Sequence, residues 1–195
     1  MNLDFSERMS SDKHGQRIDI SGVPVEMREH PEFLKKFNHL TRALADPRQV
    51  EIACTHDAGH LIYFQRAGIQ IQDLTFHGPT VTYNSQRQEF VYFLVCVEPP
   101  LNLNPAIQMD AFAKGAAAGG VFTAVLCGET YRGDEADLFV FTHIASGWLR
   151  QNPHLSGFVT VDGLWTEAQQ AVETDLREAD ATFHSEIAAA IGVRL

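Results

Sequence analysis

His56-Asp57-Ala58-Gly59-His60 places two imidazoles four residues apart, with a carboxylate immediately after the first. On a helix, residues four apart lie one above the other on the same face, so His56 and His60 can grip one metal ion. The pattern is that of the zinc-binding H-E-x-x-H helix, with Asp57 standing where Glu is usual. The acid decides whether a bound metal activates water or merely sits. Nine histidines in 195 positions give roughly 0.4 such pairs by chance, so the pair needs structural support.

Zinc requires at least a third protein ligand, with water or substrate in the open position. The best candidate is Asp137, in Gly133-Asp134-Glu135-Ala136-Asp137-Leu138. A glycine turn there feeds a new helix, Asp134 can cap its start, and Asp137 lies one turn further on. Glu135 and His143 are less favoured alternatives, and Cys54 could join from beside His56. The three acids also suit the positive end of a helix dipole with no metal at all.

The elements that must position these residues are legible from periodicity. Residues 1–30 read as a polar lead-in with a short strand near Ile18-Ile20. Pro31 opens a helix with Phe33, Leu34, Phe37, Leu40 and Leu44 on one apolar stripe. Asp46-Pro47 interrupts it, and a second helix carries the His pair from Arg48 to Gln65 before Gly68 turns the chain. Gly59 offers a small surface where a neighbouring element can approach.

Between residues 69 and 97 the period changes to that of strands, with a turn near His77-Gly78-Pro79 and a continuous apolar run from Phe90 to Val97. A proline-bearing loop, Glu98 to Pro105, follows. A helix rich in glycine and alanine is expected from Ala106 to Leu126, its small residues serving close helix approach. A further helix is expected from Asp134 to Leu149, and a last one from Thr166 to Ala190. The fold class is therefore mainly α with a small, largely antiparallel β-sheet. With no internal repeat and no obvious linker, residues 1–195 read as a single domain.

Bulk composition excludes several classes. A formal net charge of -10 argues against binding nucleic acid through phosphate neutralisation. Gly115 to Gly120 lacks the Lys and Ser/Thr of a phosphate loop, so no nucleotide is expected. The three cysteines are scattered and odd in number, giving no disulfide framework. No transmembrane segment or signal peptide is visible, so no membrane partner and a cytoplasmic location are expected. Trp148 and Trp165 read as packing or interface residues, and His77 as a turn histidine.

The run from Ile52 to His60 resembles the HEAGH helix of the FtsH-type (M41) zinc metallopeptidases. The resemblance continues through Gly119-Gly120 and Gly128 to Gly133 and Asp137-Leu138, and covers about residues 48–150. It implies an M41 peptidase-like α+β domain, Zn2+ held by His56, His60 and Asp137, and Asp57 in the general-base position. A peptide or protein would then be the substrate, and the family's ring assembly leaves room for a homo-oligomer. The family's AAA ATPase module has no counterpart in this sequence, and its usual acidic pair is replaced by Thr123-Ala124. Together with Asp57, these departures set beside the peptidase an alternative: a catalytically silent M41-like metal-binding or protein-interaction domain.

Overall fold

A computed structural model describes residues 18–68, 75–77, 79–93, 96–98, 109–130, 133–155 and 157–192. The lead-in before residue 18, the apolar positions 69, 71 and 74, and the loop at 99–105 lie outside the described residues. Among the described residues six α-helices dominate, with a small antiparallel β-hairpin and a second pair of short strands. The described residues fall into two units, one within residues 1–50 and 76–96, the other within 51–75 and 97–195.

In the first unit, helix α1 (Pro31–Leu44) starts where expected. Pro31 occupies its first turn, and His30 Nδ1 accepts a hydrogen bond from the Glu32 amide at 3.2 Å. Strands β2 (Thr80–Asn84) and β3 (Glu89–Phe93) pair antiparallel, in a register that sets Val81 opposite Tyr92 and Tyr83 opposite Phe90. Their turn is held by Asn84 Oδ1, which accepts from the amides of Gln86 and Arg87 at 3.1 Å each. Helix α1 meets the hairpin through Phe33, whose ring lies 5.7 Å from that of Phe90. The strand expected near Ile18-Ile20 is a single parallel bridge from Asp19 to Thr80. Strands β1 (Thr75–His77) and β4 (Cys96–Glu98) form the other pair.

Helix α2 (Pro47–Arg66) carries the His pair. Asp46 Oδ1 accepts from the Arg48 amide at 3.0 Å and Pro47 begins the first turn, so the Asp-Pro break is also a helix start. Gly68 closes it with φ +81°.

The second unit is built around α3 (Met109–Phe122), which continues as a π-turn over Thr123–Cys127 and ends at Gly128 in the left-handed conformation. One core cluster joins Phe64 of α2 to Phe112 and Ala116 of α3 and to Phe141, Ala145 and Ala168 beyond. A second joins Ile62 and Tyr63 to Ala118, Phe122, Val172 and Phe183. The run Met109–Cys127 is long and apolar enough to cross a membrane by length and composition, and 56% of its window is buried inside the fold. A central core helix has those same properties.

Helix α4 (Gly133–Gln151) agrees with expectation to within two residues. The C-terminal region does not. In place of one helix over 166–190, α5 (Val161–Arg177) and α6 (Ala181–Gly192) are separate. Thr160 caps α5 by accepting from the Gly163 amide at 3.0 Å, which starts the helix five residues earlier than periodicity indicates. Asp180 Oδ1 accepts from the Phe183 amide at 2.8 Å and starts α6 afresh. The break lets Phe183 and Ile187 turn back onto Val172 and Leu176.

Candidate metal centre

The face of α2 that carries the histidines is buried because α3 lies directly on it. A Cβ at Gly59 would fall 2.6 Å from the carbonyl oxygen of Ala118, and one at Gly119 would fall 2.5 Å from His60 Nε2 and 2.7 Å from His56 Cε1. Only glycine fits at either point. Gly115 is packed as tightly against the ring of Phe64. The small-residue character of α3 thus serves the close approach expected of it, at the imidazoles themselves.

That approach fixes the chemistry of His60. Its Nδ1 lies 2.8 Å from the Gly115 carbonyl oxygen, which can only accept, so Nδ1 carries the proton and donates. Whenever that ring is neutral, the nitrogen it turns toward His56 is an unprotonated Nε2, 3.1 Å from His56 Nε2. A carbonyl behind a metal-ligating histidine orients the ring in the same manner.

Asp137 completes the group from the N-terminal part of α4. Its Oδ2 is 3.0 Å from His56 Nε2 and 3.3 Å from His60 Nε2. The three atoms form a nearly equilateral triangle. Tetrahedral zinc with Zn–N and Zn–O bonds of about 2.0–2.1 Å holds its ligand atoms about 3.3 Å apart, so the spacing fits. Asp137 Oδ2 is buried with both imidazole Nε2 atoms within 3.3 Å of it, so the converging atoms call for a cation, a proton or a metal ion, among them.

The electrostatics agree. Burial opposes a charge on His60, but the Asp137 carboxylate, the Gly115 carbonyl and the Asp57 charge outweigh it and push its pKa up to about 9. Burial also acts to raise Asp137, yet the neighbouring imidazoles of His60 and His56 hold it well below the usual carboxylate range. Exposure is uneven: the His side chains are 5% and 4% accessible and that of Asp137 25%, so the group opens on the Asp137 side. A cavity of about 160 Å³ begins there, walled by Asp137, Ala117, Val121, Trp165 and Gln169 among others.

Among the described residues, His56, His60 and Asp137 are brought together as a set with metal-ligand spacing. Glu135 and His143 are exposed, and Cys54 is fully buried outside the set. Asp57, the expected general base, is 2% exposed on α2. Thr123, where the resembled family has an acid, is fully buried and donates its hydroxyl to the Gly120 carbonyl at 2.9 Å, within the turn that ends α3. The sequence reading missed Gly115, whose contribution is a backbone oxygen and leaves no side-chain signal. Trp165, read as a packing or interface residue, packs 5.1 Å from Phe141 and walls the cavity as well.

Comparisons with family models, with curated proteins and with solved structures return no match for this chain.

Proposed function

We propose that His56, His60 and Asp137 hold a zinc ion and that the protein is a slow zinc-dependent hydrolase of peptide bonds, similar in plan to the M41 peptidases. The observation that carries this reading is the triangle of Nε2, Nε2 and Oδ2 atoms with sides of 3.0–3.3 Å. Two histidines and a carboxylate leave a fourth position open, as in catalytic rather than structural zinc sites. When bound, zinc lowers the pKa of a coordinated water and polarises a carbonyl.

The chain's own residues divide the remaining work. Gly115 orients His60, Gly119 admits the α3 backbone against both rings, and Asp57 takes the general-base position that the M41 resemblance implies. Its stem is one methylene shorter than that of Glu, a shortfall of about 1.5 Å. A misplacement near 1 Å costs about a hundredfold in rate, so turnover is expected to be slow.

The burial of Asp57 favours a second reading, in which the metal is held but no water is activated. The test is metal analysis of protein purified without added metal, followed by peptide hydrolysis with and without chelator. Zinc retention with weak hydrolysis, lost on chelation and in Asp57→Asn, supports the hydrolase. Full zinc occupancy with no cleavage across a broad peptide library, and no gain in Asp57→Glu, supports the silent reading. Protein without metal removes both.

A further inference from the structure

The cavity at Asp137 does not stand alone. A second cavity of about 340 Å³ shares three of its wall residues, Val121, Ala124 and Gln169. The two are therefore compartments of one groove between α3 and α5. Its inner compartment starts at the metal ligand Asp137 and is walled by the small residues Ala116, Ala117 and Gly120 and by Trp165. Its volume of about 160 Å³ is close to that of a cavity that takes a group the size of benzene, so this compartment suits one small aliphatic side chain.

The outer compartment differs in chemistry. Thr166, Gln169 and Gln170 are exposed along it and supply a hydroxyl and two amides, each able both to donate and to accept. Glu173, at the same wall, is paired with Arg177. Neutral two-way hydrogen-bonding groups match a peptide backbone, which also donates and accepts.

We infer that this groove binds a short peptide, with a small aliphatic side chain in the inner compartment beside the metal and the adjoining peptide unit across Gln169 and Gln170. The inference deepens the zinc reading and rests on it, since Asp137 serves both as ligand and as inner wall. It gives the chain a specificity of its own, set by Trp165 and by the α5 amides.

The experiment uses the full zinc-loaded chain and three hydroxamates that differ only in their acyl group: acetyl, isovaleryl and 1-naphthoyl. The isovaleryl compound is expected to bind about tenfold or more tighter than the acetyl one, since each added methylene in an apolar pocket carries such a factor. The naphthoyl compound, too large for the inner compartment, is expected to lose that gain. Ala124→Phe and Gln169→Trp both fill the groove from exposed positions, so each is expected to abolish the isovaleryl preference with zinc content unchanged. Indifference to acyl size at full zinc occupancy, or a preference that survives both variants, overturns the groove and leaves the metal centre standing. Failure to take up zinc overturns the metal reading and the groove with it.

Discussion

His60 and Gly115 meet through one hydrogen bond, from the ring Nδ1 to the backbone carbonyl oxygen at 2.8 Å. Because the acceptor is main chain on a packed helix, the orientation of the His60 ring is set by helix–helix distance and not by a second side chain. Disturbing the seam between α2 and α3 should therefore disturb metal binding before it disturbs the fold.

Glycine substitution separates those two effects. In Gly119→Ala the new methyl falls on the two imidazoles, so zinc affinity is expected to drop by about ten- to a hundredfold, the range for disturbed ligand orientation. In Gly59→Ala the methyl meets the Ala118 backbone, so stability is expected to fall by about 1–3 kcal/mol. Chemical denaturation with parallel zinc titration distinguishes them. Wild-type zinc affinity in Gly119→Ala would contradict the assigned ligand geometry.

Zinc is expected to stabilise the protein by mass action. At a free concentration of one hundred times Kd, the gain is about 2.7 kcal/mol. For a chain of this size that corresponds to about 5–10 °C in Tm. Differential scanning calorimetry with and without chelator measures it, and the shift should vanish in Asp137→Ala.

The pH dependence follows from His60. Its pKa is raised from 6.5 to about 9 in the folded, metal-free protein. The folded state therefore binds the proton more tightly, and that stabilisation is complete below about 6.5 and is lost as pH rises through about 9. Zinc needs the unprotonated ring, so its affinity changes in the opposite sense, rising about tenfold per pH unit up to about 9. Zinc titrations between pH 6.5 and 9 check the slope. A flat profile would show that His60 holds no competing proton.

Tyr63 ties α2 to α5 by donating its hydroxyl to Asp175 Oδ2 at 2.8 Å. Tyr63→Phe is expected to cost about 1.5 kcal/mol in urea denaturation, the value of a hydrogen bond to a charged group at partial burial. Zinc affinity should stay as in the parent protein, because the bond lies away from the ligand atoms. A loss of zinc without a loss of stability would contradict this division.

Much of the centre was legible in the chain because its decisive features are local. The i, i+4 spacing of His56 and His60 needs only a helix, and Pro31, Pro47 and Gly68 mark helix starts and stops through their own backbone restrictions. Asp137 was recognisable from the glycine turn before it, although its meeting with the histidines is a tertiary event. The Gly115 carbonyl was not legible, since every residue has one. The α5–α6 break was hidden by periodicity: apolar spacing continues through Asp180, and only the cap made by its side chain shows that the helix restarts. The groove escaped because two helices make it together, from residues that read as ordinary core or surface positions on each.

The proposed ligand set joins two residues one helical turn apart on α2 with one distant partner on α4. A bound ion would thus be a reversible crosslink, closing a loop of roughly 77 residues between His60 and Asp137. By chain-entropy scaling, fastening a loop of that length removes about 4.5 kcal/mol of freedom from the unfolded chain. The ion would then act on the protein much as a disulfide acts on a secreted one, with the availability of metal in place of oxidation deciding whether the staple is closed.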